Sequence, residues 1–481
     1  MREPGNQHRN ERTPKWLQNT RYLIVALIFL GAIALRFGLS LVNQQANDPH
    51  MPVIRHIFRH DELPELTDCW ECFQPKLFHY TIAKILVYLD LVEGKDDDTQ
   101  KIVGQMINAL AGMVTLVVAW IFILMAFPTI DSKIQLLTFA LVAFNPQLIG
   151  INSQVTNDTF VILFCVLAVF CACLFIRKSN IWIFLALILF SSLAVATKAN
   201  GWVTVIAISI TLFIMAWRHK TERTKVLIYA ILYLLAIPTL AILNPLTQYR
   251  FNYGRYGSPV PIPWQRQAVP FFFEQTFVPF AGILSIQDGF LTFKFFDLIQ
   301  NPVTDLQEEI NASSHRTSLW TRLYGSAHSI HFENYPPTWR TPSQKILTIS
   351  RLIYLLALVP TTLMLIGAVT EIQQTLKGIL TRNPSILQGT FFGLITLVFV
   401  GHLIFIALYA FEYRTYTFMK AIFIYPGLLA LPALFLRGFE VIASSPKLGR
   451  WSSVALGLSV PCLVFLYILD VAHLIFQLLP N

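Results

Sequence analysis

The sequence predicts an all-α polytopic membrane protein, and three observations lead to that fold class. Of its 481 residues, 55% are hydrophobic and only 13% are charged, whereas a soluble domain carries roughly 25% charged side chains. The apolar residues gather in runs long enough to cross a hydrocarbon core, which takes about 20 residues of helix. The basic residues fall in short clusters between these runs. A soluble protein of this length is therefore excluded.

The net charge of +9 indicates membrane orientation and not nucleic-acid binding. Clusters of Lys and Arg beside apolar runs fix the orientation of a bilayer protein, so membrane lipids are predicted partners and nucleic acid is not. Six cysteines are too few for a disulfide scaffold. Four of them lie inside apolar runs and are predicted to be packed thiols: Cys165, Cys171, Cys173 and Cys462.

The first membrane-spanning helix is predicted over 22–42. A polar, basic segment, 1–21, precedes it and is predicted to be a cytoplasmic tail, and no small-residue cleavage site follows the run, which argues against a signal peptide. Ten further runs bring the predicted spans to eleven: about 103–126, 134–150, 159–176, 181–196, 202–217, 225–243, 346–369, 387–410, 418–436 and 452–477.

The apolar run 77–92 is predicted to be a helix lying along the outer interface. It is short and contains Lys84 and His79. Counting it as a twelfth span would move the basic cluster 217–225 to the outside, against the positive-inside rule. With eleven spans and the N-terminus inside, two long segments face outward, 43–102 and 244–345.

This topology predicts four parts of the chain: the tail 1–21, an N-terminal transmembrane catalytic module 22–243 that includes the outer loop 43–102, the long outer loop 244–345, and the C-terminal helices 346–481. The loop 244–345 is too long for a simple connector. Its aromatic and proline-rich patches predict interfacial helices and a lid that selects the acceptor.

Polar residues concentrate at the outer ends of the predicted helices. The outer loop 43–102 holds 11 of the 27 carboxylates, and 244–345 holds 7 more. Further polar stretches are 152–158, 197–201 and 411–420. Arg36 and Asp470 lie near the outer ends of their spans, where their side chains are expected to snorkel. The pattern predicts an outward-facing cleft at the membrane interface.

Such a cleft suits a reaction between a lipid-borne substrate and an acceptor that arrives from outside. A lipid phosphate needs cations at headgroup depth, and an acceptor hydroxyl or amine needs a carboxylate base. The candidate cations are Lys198, Lys420, Arg414, Arg250 and Arg255. For each of them, anchoring to lipid headgroups is the alternative interpretation.

Several short motifs resemble a known superfamily. The first outer loop reads Asp48-Pro-His50 and, further on, Gln74-Pro-Lys-Leu-Phe-His-Tyr80. This order resembles the GT-C glycosyltransferases, which use lipid-phosphate sugars and include the protein O-mannosyltransferases of the family-39 type and the lipid A aminoarabinose transferase. Lys76 replaces the second proline of their usual element. The resemblance continues further along the chain, in the pairs at 145–146 and 157–158, the turn 197–201 and the segment 420–426.

The resemblance implies a GT-C fold and an inverting transfer of a sugar from a polyprenyl-phosphate donor to a lipid, glycan or protein acceptor. Asp48 would be the general base. The alternative interpretation is that Asp48 is a loop acid or a helix cap before a proline. His50 would orient Asp48 or bind the phosphate, and Glu71 would hold sugar hydroxyls or be a solvated loop acid. Gln74, Lys76 and Asp158 would contact substrate, although Asp158 also suits a helix N-terminus.

The pair Cys69 and Cys72 lies in the outer loop, where either a local disulfide or two free thiols is expected. No second Cys pair or His set accompanies it, so zinc is not predicted, and no metal or other cofactor is expected to be required.

The predicted location is the plasma (inner) membrane, with the active site on the extracytoplasmic side. Two other functions remain open: a transporter or flippase of a lipid-linked glycan, and a non-catalytic membrane subunit of a glycan assembly complex.

Overall fold

The computed structural model describes most of the chain. The described residues are 15–46, 48–66, 68–92, 97–218, 222–260, 286–302, 317–332, 339, 344–381, 386–413, 420–446 and 449–479. Their secondary structure is helical throughout. Arg414, one of the predicted cations, lies outside these residues.

Eighteen α-helices occur in the described residues, and short 3₁₀ turns at 70–73, 245–247, 421–423 and 425–427 connect some of them. In chain order the helices are α1 Lys15–Val42, α2 Met51–His60, α3 Leu77–Tyr88, α4 Asp97–Ala126, α5 Ser132–Ala143, α6 Pro146–Asn152, α7 Asp158–Arg177, α8 Ile181–Thr197, α9 Gly201–Arg218, α10 Arg223–Leu243, α11 Tyr249–Tyr256, α12 Ile286–Leu291, α13 Phe295–Gln300, α14 Leu319–His328, α15 Gln344–Thr381, α16 Ile386–Tyr413, α17 Ala430–Ala443 and α18 Gly449–Leu478.

The chain is an integral membrane protein, but the predicted count of eleven spans is not confirmed. Eight of the described helices are long and apolar enough to cross a bilayer. The bent pair α5 and α6, with 47° between its parts, makes a ninth. Helix α8 is a shorter apolar helix of 17 residues. The run predicted at 418–436 instead forms 3₁₀ turns around Pro426 before the 14-residue α17 begins.

Helix α3 is the run that the sequence analysis places at the interface. Its 12 residues give about 18 Å of helix, short of the ~30 Å hydrocarbon core. Phe78 and Ile82 on α3 pack with Ile54 of α2 in a core cluster separate from the main one. The outer loop thus has its own small core, which holds the loop against the bundle.

The break between α5 and α6 bends the chain by 47°. Pro146 is the first residue of α6, and the Asn145 side chain caps it by accepting from the Leu148 N–H at 3.0 Å. Arg36 donates to the Ala143 carbonyl at 2.8 Å and to Asn152 Oδ1 at 2.9 Å, so its guanidinium binds backbone freed by the break. The predicted snorkelling of Arg36 is wrong, because its side chain is fully buried.

Asp470 of α18 is also buried instead of snorkelling. Its Oδ2 accepts the backbone N–H of Ile330 at 2.9 Å. This bond fixes the chain that follows α14, which lines a cavity described below.

Candidate active site

Asp48 lies where the chain leaves α1 and enters α2. Its side chain is half-buried, and its carbonyl accepts the His50 N–H at 3.0 Å. Asp48 is among the residues that line two different cavities.

The first cavity contains the cationic side of the site. It lies between the segment 147–158, the chain from α14 onward, and the start of the 3₁₀ turns at 420. Ala421 N–H donates to Ser326 Oγ at 3.1 Å, which ties the neighbour of Lys420 to α14. The residues around the cavity are Asp48, Gln147, Gly150, Ile151, Gln154, Thr156, Asp158, Ser326, Ser329, Ile330, Phe332, Trp339, Lys420 and Ile422.

Lys198 and Asp158 form a buried ion pair at the edge of this cavity. Lys198 Nζ lies 2.7 Å from Asp158 Oδ1, and the two side chains are 12% and 3% exposed. Thr156 Oγ1 donates to Asp158 Oδ2 at 3.0 Å. The ammonium also lies 5.6 Å from the centre of the Phe423 ring. Burial opposes the charge of Lys198, but the charge and hydrogen bond of Asp158, together with the charges of Glu71 and Asp48, outweigh burial and raise the lysine's pKa.

The surroundings of Asp48 keep it ionised. Burial alone would raise its pKa, but Lys420, then His50 and Lys198, outweigh burial and bring the pKa below its ordinary value. A carboxylate in this state can accept a proton and cannot donate one.

Glu71 is the opposite case. It lies in the 3₁₀ turn 70–73. A disulfide between Cys69 and Cys72 closes this turn, so of the two states expected for this cysteine pair the structure contains the disulfide. Burial, followed by the negative charge of Asp48, raises the pKa of Glu71 to about 8. At neutral pH this side chain is a carboxylic acid that can donate a hydrogen bond.

Lys76 follows this turn and is fully buried. Its Nζ donates to the carbonyls of Cys72 and, at 2.9 Å, of Gln74. Burial lowers its pKa to about 7, although Glu71 partly counters the effect. Gln74 therefore contributes to the site through its carbonyl, which accepts from Lys76.

His50 faces a second histidine, His79 of α3. His50 Nδ1 lies 3.0 Å from His79 Nε2, so an N–H of one ring donates a hydrogen bond to the bare nitrogen of the other. Burial lowers the pKa of His50 to about 4 and that of His79 well below its ordinary value. Both rings are therefore neutral at physiological pH.

The structure brings most of the predicted site residues together and leaves others apart. The residues that share one electrostatic environment are Asp48, His50, Glu71, Lys76, Asp158, Lys198 and Lys420. Arg250 and Arg255 are exposed on α11, and Arg255 Nη2 pairs with Glu65 at 2.9 Å. These two arginines are therefore placed to meet headgroups or a ligand outside the cluster.

Several site residues have no clear signal in the sequence. His79 appears there only as part of a motif, and Trp339 only as one aromatic residue in a long loop. Trp339 is buried, and its Nε1 donates to Asn43 Oδ1 at 3.0 Å, which closes the first cavity from the side of the second outer loop. In the part of the chain that the structure describes, no group of three or more His, Cys, Asp or Glu residues could hold a metal ion.

A family model and two solved structures show what this chain is similar to. Residues 91–251, which include Asp158 and Lys198, match the family model of dolichyl-phosphate-mannose-protein mannosyltransferases. The structure also superposes on the Archaeoglobus fulgidus oligosaccharyltransferase tethered with an acceptor peptide, with a TM-score of 0.52 and 14% identity over 97% of this chain. The chain has the GT-C glycosyltransferase fold. The resemblance drawn from its motifs is thereby confirmed.

A second Archaeoglobus fulgidus structure, oligosaccharyltransferase AglB in complex with an inhibitory peptide and a dolichol-phosphate, has a TM-score of 0.51 and 11% identity over 96% of this chain. This chain spans 56% and 57% of the length of these two proteins. ArnT from Cupriavidus metallidurans bound to undecaprenyl phosphate has 14% identity and a TM-score of 0.33, over 81% of this chain and 77% of its own, which is too low to support an argument. No curated protein matches the chain in sequence.

Proposed function

We propose that this protein transfers a sugar from a polyprenyl-phosphate donor to an acceptor at the outer face of the plasma membrane, with inversion and with Asp48 as the general base. The observation that carries the proposal is the position of Asp48. Asp48 is a lining residue of two cavities, and the first of them is also lined by Lys420 and adjoins the Lys198–Asp158 pair.

The first cavity suits the donor. A lipid-linked phosphate is anionic, and it gains negative charge as the bond from the anomeric carbon to the phosphate oxygen breaks. Lys420 lines the cavity, and Lys198 lies behind Asp158 at its edge. Cations fixed in a partly dry cleft stabilise such charge more strongly than water does. The dolichol-phosphate bound to the archaeal oligosaccharyltransferase supports a donor of this class.

The transfer is a single displacement in which one bond forms, one bond breaks and one proton moves. The acceptor oxygen attacks the anomeric carbon from the face opposite the phosphate, so the configuration inverts. Asp48 takes the acceptor proton while the polyprenyl phosphate leaves with the bonding electron pair. With a pKa below the ordinary value, Asp48 is a weak base, so it accepts the proton late, when the attacking oxygen has become acidic.

Glu71 complements Asp48. Two carboxyl groups whose surroundings move their pKa values apart take different roles in a site. The Glu71 carboxylic acid can donate a hydrogen bond to a sugar hydroxyl oxygen, which the ionised Asp48 cannot do. This assignment keeps Glu71 as a substrate-binding residue.

The proposal is tested with purified protein and a panel of radiolabelled polyprenyl-phosphate sugars. The expected result is formation of glycosylated acceptor together with one polyprenyl phosphate per transfer. A flippase would move a labelled donor across proteoliposomes without releasing polyprenyl phosphate. A scaffold would do neither. Either of those outcomes contradicts the proposal.

A further inference from the structure

The second cavity beside Asp48 has a composition different from the first. It opens between the end of α1, the start of α2 and the outer end of α4. The residues around it are Gln44, Gln45, Ala46, Asp48, Pro49, His50, Met51, Pro52, Lys101, Gln105 and Val155. Three of these side chains are primary amides, which are neutral and can both donate and accept hydrogen bonds.

Two buried polar atoms in this lining have no hydrogen-bond partner among the described residues. They are Oε1 of Gln105 and Nε2 of His50. Both residues are 1% exposed, and an unsatisfied polar atom at such a position is costly unless a ligand or water satisfies it. Gln105 Nε2 donates to the Asn43 carbonyl at 2.8 Å, so the amide group is held in place.

The charge of this cavity does not suit a phosphate. Its one cationic lining residue is Lys101, whose Nζ is paired with Asp98 at 2.9 Å. The first cavity, by contrast, is lined by Lys420 and lies next to Lys198. The two sides of Asp48 therefore differ in the ligand they favour: anionic on one side and neutral on the other.

The remaining lining is apolar, from Pro49, Met51, Pro52 and Val155. Amide groups that face hydroxyls, next to apolar side chains that face C–H groups, fit a ring with a polar edge and a less polar face. A sugar has that combination.

We infer that the second cavity is the acceptor subsite, that Gln105 is a specificity-determining residue in it, and that the acceptor is a neutral saccharide hydroxyl. This inference rests on the proposed function, because it assigns the attacking oxygen to the side of Asp48 away from the phosphate. Gln105 Oε1 accepts from one sugar hydroxyl, and His50 Nε2 contacts a second. The attacking hydroxyl passes its proton to Asp48 as its oxygen bonds to the anomeric carbon.

The test compares acceptor and donor affinity in three variants. Gln105→Leu removes the amide acceptor, and Gln45→Trp fills the cavity from an exposed position. Gln373→Trp adds the same bulk to an exposed position of α15, far from the site in sequence, and is the matched control. Each protein is assayed with a polyprenyl-phosphate sugar donor against short neutral oligosaccharides and against Ser- and Thr-containing peptides. Its affinity for undecaprenyl phosphate is measured by titration.

We expect Gln105→Leu and Gln45→Trp each to raise the KM for the oligosaccharide acceptor about tenfold, the effect of one lost hydrogen bond or of a blocked site. The Kd for undecaprenyl phosphate should stay within about twofold of wild type in both, and Gln373→Trp should match wild type in all measurements.

Three outcomes overturn the inference. An unchanged KM for the oligosaccharide acceptor in both variants would show that the second cavity is not the acceptor subsite. A raised Kd for undecaprenyl phosphate in Gln45→Trp would assign this cavity to the donor. Transfer to the peptides alone refutes the saccharide class. Absence of transfer by wild-type protein with every donor instead contradicts the proposed function, so the two failures are distinguishable.

Discussion

The buried pair of Lys198 and Asp158 gives a prediction about both stability and activity. In Lys198→Met, the Asp158 carboxylate loses the ammonium 2.7 Å away while remaining 3% exposed. Breaking a buried pair by removing one partner costs about 3–5 kcal/mol, because a buried charge is left uncompensated. Lys198 is 12% exposed, so water partly compensates and the lower end, about 3 kcal/mol, is expected.

The double variant Lys198→Met/Asp158→Leu separates the two roles of the pair. Replacing both partners by apolar side chains is often neutral for stability, so the unfolding free energy should return to within about 1 kcal/mol of wild type. Sugar transfer should stay reduced by at least about tenfold, because the cation beside the departing phosphate is still missing.

The assay is reversible unfolding in detergent together with initial transfer rates for wild type and both variants. A loss of less than about 0.5 kcal/mol in Lys198→Met would refute the uncompensated-charge argument. A double variant that transfers sugar at the wild-type rate would show that Lys198 has no part in the chemistry.

Further predictions concern packing, pH and topology. Gly367 and Gly438 lie where α15 crosses α17, and a Cβ on either would overlap a backbone carbonyl of the other helix, at Leu434 or Leu363 respectively. Alanine at either glycine should therefore lower the unfolding free energy by about 1–3 kcal/mol. Gly457→Ala is the control and should not lower it, because a Cβ there meets nothing within 4 Å. Because the pKa of Glu71 rises from 4.5 to about 8 on folding, the native state binds more protons in that window. Stability should therefore fall as pH rises from about 4.5 to about 8, and the fall should be smaller in Glu71→Gln; identical pH profiles would contradict the shift. A single cysteine replacing Lys220 should react with an impermeant thiol reagent only from the cytoplasmic side, and labelling from outside would overturn the predicted orientation.

Much of the fold could be predicted because hydrophobic runs of fixed length report bilayer spans directly. The interfacial placement of α3 was inferred from its length and charges, and the helix is indeed too short to span. The apolar run at 418–436 was predicted to be one continuous span. Hydropathy does not register that Pro426 and Gly427 favour turns over a continuous helix. Arg36 was misplaced for a related reason: a polar side chain near a helix end can snorkel or can bind backbone freed by a neighbouring break, and only the tertiary structure selects between them.

The site could be predicted only where motifs marked it. Asp48, Glu71, Asp158, Lys198 and Lys420 come together in the structure from separate turns. Gln105 could not be found, because it is one amide in a long apolar helix and its importance depends on which side of α4 faces the end of α1. Arg250 and Arg255, each next to a tyrosine in the sequence, were predicted as cations for the lipid phosphate. Their helix, α11, leaves both side chains exposed.

The most direct test of the central claim is single-turnover sugar transfer by Asp48→Asn with the donor already bound. Asparagine keeps the size and polarity of the side chain but cannot take up the acceptor proton. We predict that the variant binds undecaprenyl phosphate as wild type does and transfers sugar about 10²–10⁴-fold more slowly, the usual contribution of a general base. Transfer at the wild-type rate, with the donor equally bound, would contradict the assignment of Asp48 as the base.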